Sequence, residues 1–309
     1  MNSLPRIRLG TRASLLAQWQ AHWVAARLRE LGVEVEMVPI STSGDRQQQG
    51  PIGAMGGQGV FTKEIQRALL DVRIDLAVHS LKDLPTDPVA GLCLAAVPER
   101  APVGDVLVCR QCDTLAKLKQ GAVVGTGSLR RRSQLLNARA DLQTRDVRGN
   151  VETRLGKLDR GDYDALLLAE AGLRRLGLAE HITQVLPPSI MLPAIGQGAL
   201  GLETRSDDEP SLAVVRRLCH QPSHAAVLAE RSMLAALQGG CLAPIAGWGR
   251  IDAGTFTLTG RVLNSDGTEK LEATHTGELD QPEQLGRRVA DDLLQQGAAR
   301  LICAARGAT

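Results

Sequence analysis

The feature that most constrains this chain is an alternation of short apolar runs with stretches of helical periodicity. In residues 14–31, for example, Leu15, Trp19 and Trp23 recur every four residues and fall on one helical face. Such alternation is typical of α/β proteins that are built on a mostly parallel sheet. Strands are predicted at 6–9, 33–40, 75–79, 92–97, 105–108, 122–125, 142–147 and 165–168. Further helices are predicted at 63–70, 114–120, 128–139, 150–160 and 170–176.

Two breaks interrupt the alternation and divide the chain. Residues 98–104 contain two prolines and a glycine, and residues 186–198 are again rich in both. Proline and glycine end regular elements, so these segments suit crossovers between domains. The breaks predict residues 1–98 plus 199–218 as domain 1, residues 104–193 as an inserted domain 2, and residues 219–309 as domain 3. Domain 3, with predicted helices at 223–237 and 281–297 around a strand-like run at 256–259, is expected to be a small α+β domain.

The composition argues against nucleic-acid and membrane partners. The net charge of the 309 residues is only +2, and aromatic residues make up 2% of the chain. Neither a general positive field nor stacking platforms for bases are therefore expected. The first residues lack the apolar core of a secretory signal, and no run approaches the roughly 18 apolar residues of a membrane helix. We expect a cytoplasmic protein, and nothing in the sequence favours self-association over a monomer.

Arginines stand at four predicted strand-to-helix junctions. Helix N-termini offer free N–H groups and a positive dipole end, and guanidinium groups bind carboxylates through two hydrogen bonds. An arginine run alone is usually a solvated helix face, and three consecutive helical side chains cannot all face one ligand. Because ligands in open α/β sheets bind at the carboxyl ends of strands, the recurrence predicts one polyanion cleft between domains 1 and 2. The junction residues are Arg12, Ser14, Ser128, Arg130, Arg131, Arg132, Arg148, Arg154, Arg174 and Arg175.

Two other residues have alternative interpretations. Asp83 follows a buried strand and precedes Leu-Pro, a position where an aspartate is most often a turn or capping residue. Facing a cationic cleft, its carboxylate could instead stabilise a developing cation or transfer protons. Cys241 follows Gly239 and Gly240 at a predicted helix end. Taken alone it suits a structural thiol, because no histidine is clearly paired with it to support nucleophilic catalysis.

Two further groups of cysteine and histidine are weaker signals. Cys109 and Cys112 form an isolated C-x-x-C, which without a second pair of ligands gives little support for zinc or redox chemistry. Cys219, His220 and His224 have spacings that could bind a metal, but a helix surface is the simpler interpretation. No metal is predicted.

Six segments together resemble the porphobilinogen deaminase (hydroxymethylbilane synthase) family. They occur in the family's order and span most of the chain. Each is a modest signal alone, whereas six in order are specific. The segments are LGTRASLLA at 9–17, VHSLKDLP at 78–85, GTGSLRR at 125–131, RGNVETR at 148–154, LPAIGQGA at 192–199 and LQGGC at 237–241.

The resemblance implies a fold and a reaction. It implies two α/β domains with parallel-rich mixed sheets, similar to type II periplasmic binding proteins, and a small C-terminal α+β domain. The family's enzymes are transferases that join four porphobilinogens head to tail, release ammonia and give hydroxymethylbilane. The primer is a dipyrromethane cofactor, which the resemblance places in a thioether bond to Cys241. Every ring carries an acetate and a propionate, so the arginines would have a polycarboxylate to bind.

The resemblance also implies roles for individual residues. Asp83 matches the catalytic carboxylate, which contacts pyrrole N–H groups while an electrophilic methylenepyrrolenine forms. The positions that match binders of cofactor carboxylates are Lys82, Ser128, Arg130, Arg131 and Arg154. The positions that match binders of the substrate and the growing chain are Arg12, Ser14, Phe61, Arg148, Arg175 and Gln197.

The sequence departs from the family pattern in the glycine-rich segment around Phe61. Ala54 and Gln58 stand where many bacterial members have lysines, which weakens the case that this segment grips substrate electrostatically. Two rival hypotheses remain open at this stage. One is a non-catalytic anion-binding protein on a periplasmic-binding fold, and the other is an inactive relative that keeps the cofactor without elongating it.

Overall fold

Two five-stranded sheets with the same strand order form the centres of two structural units. The structure is a computed structural model that describes residues 6–41, 62–240 and 243–307. Unit 1 comprises Met1–Ala101 and Ala199–His224, and unit 2 comprises Pro102–Gly198 and Ala225–Thr309.

The described strands and helices follow the chain in this order. The strands are β1 Ile7–Thr11, β2 Val35–Pro39, β3 Leu76–Ser80, β4 Leu92–Ala96, β5 Asp105–Cys109, β6 Val123–Gly125, β7 Gln143–Arg145, β8 Ala165–Ala169, β9 Gln184–Val185, β10 Leu200–Arg205, β11 Ile245–Asp252, β12 Thr255–Leu263 and β13 Lys270–Gly277. The helices are α1 Leu15–Glu30, α2 Lys63–Leu70, α3 Leu129–Ala138, α4 Val151–Asp159, α5 Glu170–Arg175, α6 Glu209–Val215, α7 Gln221–Ala236, α8 Pro282–Gln295 and α9 Ala298–Gly307.

The sheet of unit 1 has the order β2-β1-β3-β10-β4. Strand β1 is parallel to β2 and β3, while β10 is antiparallel to β3 and β4. The strand β3 begins Leu76-Ala77-Val78 and is buried on both faces, which explains its continuous apolar sequence. Helix α1 packs Val24 and Leu28 against this sheet in one apolar cluster.

Unit 2 repeats this arrangement in the order β7-β6-β8-β5-β9. Strand β6 is parallel to β7 and β8, while β5 is antiparallel to β8 and β9. In both sheets, therefore, three parallel strands are followed by one antiparallel strand that enters from the other end. Strand β5 starts at the edge where β8 ends, because Asp105 pairs with Ala169.

Unit 2 also contains a three-stranded antiparallel sheet, β11-β12-β13. Helices α7, α8 and α9 cover it, and the shared apolar cluster includes Met233, Phe256, Val289 and Leu301. The expected small α+β part of the C-terminal region is thus present, and the predicted α/β fold class with parallel-rich mixed sheets is confirmed. The predicted boundaries of the three domains stay predictions.

Most predicted elements are present, but one predicted helix was wrong and one helix was not predicted. Residues 114–120 form only a short 3-10 turn, Leu115–Lys117, because Leu118 returns to an extended conformation and Gly121 adopts a positive φ of 74°. The helix predicted at 281–297 is present as α8, and the additional helix α9 begins after Gly297, which has a φ of 102°. Within the described ranges, the helices are all too short or too polar to cross a bilayer.

Asp75 lies directly before β3 and links this strand to β1 and β10 of the unit 1 sheet. Its carboxylate accepts hydrogen bonds from Nε and Nη2 of Arg8 at 2.9 and 2.8 Å, and from Nη2 of Arg205 at 2.9 Å. Burial alone would raise the pKa of this carboxyl, but the hydrogen bonds from Arg8 and Arg205 outweigh burial and lower it to about 2. The ionised form is therefore stabilised in the folded protein.

We expect Asp75→Asn to lower the free energy of unfolding by about 2 kcal/mol at neutral pH, since the pKa is depressed by nearly two units. The folded pKa lies below its ordinary value, so the ionised carboxylate stabilises the fold above pH about 4. That contribution is lost as the pH falls toward 2. Urea titrations at several pH values measure the difference between the proteins. Asp71→Asn, which removes a half-exposed ion pair to Arg67, is the control and should change stability by less than about 1 kcal/mol. An Asp75→Asn difference that did not shrink with falling pH would contradict this account.

Candidate active site

In unit 1, one edge of the sheet gathers three of the predicted site residues. The parallel strands β1 and β3 end at this edge, and β10 begins there, with Leu200 opposite Ser80. Arg12 and Ser14 follow β1 directly, and Asp83 follows β3 at the end of the 3-10 turn Leu81–Asp83. The sheet topology therefore brings Asp83 to the same edge as Arg12 and Ser14, which lie about 70 positions earlier in the sequence.

A small cavity lies at this edge of unit 1. It measures about 70 Å³. Ser14 caps helix α1 and accepts a hydrogen bond from the N–H of Ala17 at 3.4 Å. The remaining cavity walls are mostly polar, so the space suits a group with hydrogen-bonding capacity. The lining residues include Arg12, Ser14, Gln20, Thr62, His79, Ser80 and Asp83.

A buried polar network supports the strand that leads to Asp83. Nε2 of His79 on β3 lies 2.9 Å from Oε2 of Glu203 on β10, and Oε1 of Glu203 accepts a hydrogen bond from Gln66 at 3.0 Å. All three side chains are buried. Next to them, the hydroxyl of Ser80 accepts a hydrogen bond from the side-chain amide of Gln20 at 2.7 Å. Because buried polar groups cost free energy unless they are paired, this network fixes the register of β3 against its neighbours.

In unit 2, the corresponding edge of the sheet collects the arginines. Strands β6, β7 and β8 run parallel and end there, and the helices α3 and α4 begin just beyond β6 and β7. Ser128 caps α3 by accepting from the N–H of Arg131 at 3.4 Å, and Asn150 caps α4 by accepting from Thr153 at 2.8 Å. The predicted strand-to-helix junctions before α1, α3 and α4 are thus confirmed, whereas Arg174 and Arg175 lie in the last turn of α5 and not at its start. The positive dipole ends of α3 and α4 face the same edge.

Asp105 is the centre of this edge and was not predicted as a functional residue. Its Oδ2 accepts a hydrogen bond from Nη1 of Arg130 at 2.7 Å, and its Oδ1 accepts from Nε of Arg131 at 2.8 Å. Asp105 is fully buried, while Arg130 and Arg131 are 5% and 7% exposed. The two guanidinium groups also donate to the main-chain carbonyls of Leu192 and Leu167.

The cluster of Asp105, Arg130 and Arg131 carries two positive charges and one negative charge, and so keeps a net positive charge. Burial would raise the pKa of Asp105, but the two arginines outweigh burial and hold it far below its usual range. Burial lowers the pKa of Arg130, while Asp105 opposes that effect. Arg132, the third residue of the run, is exposed. The expectation that the three arginines cannot share one partner is therefore confirmed. Arg130 and Arg131 bind the same carboxylate, that of Asp105.

Two buried side chains of unit 2 position the segment that precedes β10. Gln197 donates from Nε2 to Oδ1 of Asp105 at 3.0 Å and to the carbonyl of Val103 at 2.7 Å. Glu230 on α7 accepts from the N–H of Gly196 at 2.7 Å and from the N–H of Gly249 at 2.8 Å. Gln197 therefore contacts the charged cluster itself, and Glu230 fixes the backbone next to it.

The other predicted binding arginines of unit 2 are partly exposed. Arg154 donates from Nε to the carbonyl of Gly149 at 2.8 Å, where Gly149 has a φ of 104° that favours glycine. Arg175 ends helix α5 and donates to the carbonyl of Gly198 at 2.7 Å. Burial lowers the pKa of Arg175 to about 10, and it still remains protonated at neutral pH. Arg148 lies between β7 and α4 and is half-buried.

Several predicted site residues lie outside the described ranges, and one described residue, Lys82, belongs to unit 1 and not to the arginine-bearing edge of unit 2. Cys241 and Phe61, as well as Ala54 and Gln58, lie outside the described residues. Lys82 is exposed beside Asp83 in unit 1.

A set of buried polar residues was not predicted from the sequence, namely Asp105, Gln66, His79, Glu203 and Glu230. A polar residue inside an otherwise apolar strand was the available signal for several of them.

The metal hypothesis for Cys219, His220 and His224 finds no support in the geometry. Nδ1 of His220 lies 2.8 Å from the hydroxyl of Ser223, which is a helix-start contact. Among residues 6–41, 62–240 and 243–307, no group of three or more histidine, cysteine, aspartate or glutamate side chains could hold a metal ion.

Comparison with solved structures finds similar folds at low sequence identity. A periplasmic substrate-binding protein of an ABC transporter from Coxiella burnetii is similar with a TM-score of 0.42 and 17% identity, covering 72% of this chain and 94% of that one. The methionine binding protein MetQ is similar with a TM-score of 0.44 and 15% identity, covering 74% and 93%.

Comparison of sequences gives much stronger matches. Residues 7–213 match the family described as "Porphobilinogen deaminase, dipyromethane cofactor binding domain", and residues 224–295 match "Porphobilinogen deaminase, C-terminal domain". The porphobilinogen deaminase of Desulforudis audaxviator is 48% identical over 300 residues, covering 96% of this chain and 97% of that protein. The enzyme of Geobacter sulfurreducens is 45% identical over 302 residues, covering 97% and 95%. The chain belongs to the porphobilinogen deaminase family.

Proposed function

We propose that this protein is a hydroxymethylbilane synthase. It joins four porphobilinogen molecules head to tail on a covalently bound dipyrromethane primer and releases ammonia and hydroxymethylbilane. We propose that it acts in the cytoplasm as a monomer, as the resemblance to the family implies. The observation that carries the proposal is the buried cluster of Asp105, Arg130 and Arg131.

The chemistry of this cluster fits a cofactor that carries acetate and propionate groups. Its net positive charge lies at a sheet edge where helix N-termini also converge, so a carboxylate would be stabilised there. Guanidinium groups hold carboxylates through paired hydrogen bonds, and Asp105 keeps both arginines in fixed orientations before any ligand arrives. We assign Ser128, Arg130, Arg131 and Arg154 of unit 2, with Lys82 of unit 1, to the cofactor's carboxylates.

Cys241 is the proposed anchor of the cofactor through a thioether bond. Bound there, the dipyrromethane supplies the free α-carbon to which the first porphobilinogen is joined. The thiol is consumed once, when the cofactor is attached, and takes no part in later turnovers. The matches of the chain to both family domains support this assignment, since they extend to either side of Cys241.

Asp83 is the proposed catalytic residue. Its carboxylate lines the small cavity of unit 1 beside Arg12 and Ser14. There it would accept hydrogen bonds from pyrrole N–H groups and stabilise the positive charge that develops on the substrate as ammonia leaves. The network of His79, Glu203 and Gln66 holds the preceding strand, so the carboxylate is positioned in advance.

The remaining predicted residues would bind the substrate and the growing chain. Arg12 and Ser14 lie at the cavity of unit 1. Arg148 and Arg175 are partly exposed cations of unit 2 that suit further carboxylates. Gln197 would act through its hydrogen bond to Asp105, while Phe61 is assigned by resemblance alone.

The role of Cys241 as the cofactor anchor can be tested with a variant of this residue. Intact mass spectrometry of protein from cells that make porphobilinogen should show an adduct of two pyrrole units, and Cys241→Ser should abolish it because no thioether can form. Cys303→Ser is the matched control, since Cys303 is an exposed free thiol, and it should keep the adduct. An unmodified mass for the unaltered protein would contradict the proposal.

The catalytic role of Asp83 can be tested by replacing its carboxylate with an amide. Asp83→Asn should keep the cofactor but reduce turnover by about 10²–10³-fold, since an amide cannot stabilise the developing cation as a carboxylate does. Single-turnover and steady-state assays on adduct-bearing protein measure this. The nearby exposed Asp87 gives the control Asp87→Asn, for which near-normal turnover is expected. Near-normal turnover of Asp83→Asn itself would remove Asp83 from the catalytic role.

A further inference from the structure

The C-x-x-C segment of unit 2 is not used by the proposed reaction. Cys109 is the last residue of strand β5, and Cys112 follows three residues later, directly after a bend at Arg110 and Gln111. The two Sγ atoms lie 2.8 Å apart, with the thiol of Cys112 donating to the sulfur of Cys109. The N–H of Gln111 points at the same sulfur at 3.4 Å. A sulfur–sulfur bond is about 2.05 Å long, so a small rotation of either side chain would bring the pair to bonding distance.

The surroundings hold Cys109 and its turn in place. The hydroxyl of Thr183 accepts a hydrogen bond from the N–H of Cys109 at 2.8 Å and donates to its carbonyl at 3.0 Å. Between the cysteines, Arg110 donates from Nε to Asp159 at 3.0 Å and lies 3.0 Å from Nδ1 of His181. The turn that brings the two sulfurs together is therefore held by several hydrogen bonds.

We propose that Cys109 and Cys112 are an oxidisable dithiol. They form an intramolecular disulfide when a low-molecular-weight disulfide, such as oxidised glutathione, oxidises them by thiol–disulfide exchange. This inference does not depend on the proposed function. Cys109 is only 8% exposed, whereas Cys112 is partly exposed and is the point of entry.

The exchange takes place in two steps. The thiol of Cys112 loses its proton to solvent and attacks the small disulfide, which forms a mixed disulfide and releases one thiolate. The thiol of Cys109 then loses its proton and attacks Sγ of Cys112, which closes the protein disulfide and releases the second thiolate. Two electrons pass from the two protein thiols to the small disulfide, which leaves as two thiols.

The environment of Cys112 predicts a slow first step. The pKa of the Cys112 thiol is raised to about 12. Burial is the largest cause, and the hydrogen bond to Cys109 and the charge of Cys109 add to it. Little of this thiol is ionised at neutral pH, and only the thiolate attacks a disulfide. The dithiol should therefore resist brief oxidant exposure and equilibrate over hours.

The sequence offers a direct readout, because Arg110 lies between the two cysteines. Native protein equilibrated overnight with reduced and oxidised glutathione is alkylated, digested with trypsin without reduction, and analysed by mass spectrometry. The expected product is a disulfide-linked pair of the peptides 101–110 and 111–117, which dithiothreitol separates. It should exceed any linked pair that involves Cys93, Cys219 or Cys303 by about tenfold. The proposal would be overturned if Cys109 and Cys112 stay reduced, and are therefore alkylated, at glutathione ratios that favour oxidation. It would also be overturned if each of them carries a separate glutathione.

A second measurement separates the effect of the fold from that of the short spacing alone. The equilibrium constant for disulfide formation with glutathione is measured in native protein and in urea-unfolded protein. Because the fold brings the sulfurs together, the native value should be at least about tenfold larger. An equal or larger value in the unfolded chain would overturn the proposal. In Cys109→Ser, the peptide 111–117 should instead carry one stable glutathione on Cys112. If this adduct is absent, Cys112 is not the thiol that attacks first.

Discussion

The interaction on which the candidate site depends is the pairing of one buried carboxylate with two arginines. Asp105 is fully buried, and an isolated charge there would cost far more free energy than folding provides. Arg130 and Arg131 offset that cost through short charged hydrogen bonds, and Gln197 adds a third donor. Because two cations share one anion, the arrangement fixes the arginines and still leaves a positive charge for a ligand.

The two units apply the same topology to different chemistry. Each sheet has parallel strands that end at one edge and an antiparallel strand that begins there. In unit 2 that antiparallel strand begins with Asp105, which pairs with the arginines of α3. In unit 1 it is β10, whose Glu203 pairs with His79 and so supports the strand leading to Asp83. A cationic edge and a carboxylate-bearing edge thus arise from one strand order.

The sequence allowed much of the fold to be predicted, because its apolar runs and helix starts are local signals. The helix α2, for example, has its predicted bounds of 63–70. The convergence of Arg130 and Arg131 on Asp105 could not be predicted, because it depends on β5 pairing antiparallel with β8 and not on spacing along the chain. Asp105 itself begins an apolar strand and resembles an ordinary strand-start residue until its partners are known. A helix was predicted at 114–120 because the apolar residues there have helical spacing. The backbone forms only a short 3-10 turn at 115–117.

The most direct test of the account asks whether the cluster of Asp105, Arg130 and Arg131 holds the cofactor. Arg131→Gln and Arg132→Gln alter neighbouring arginines, of which only Arg131 belongs to the cluster while Arg132 is exposed. The measurement is the fraction of folded, monodisperse protein that carries the adduct of two pyrrole units, by intact mass spectrometry. The account predicts a fall of about tenfold or more for Arg131→Gln and an unchanged fraction for Arg132→Gln. Equal adduct fractions in the two variants would contradict it.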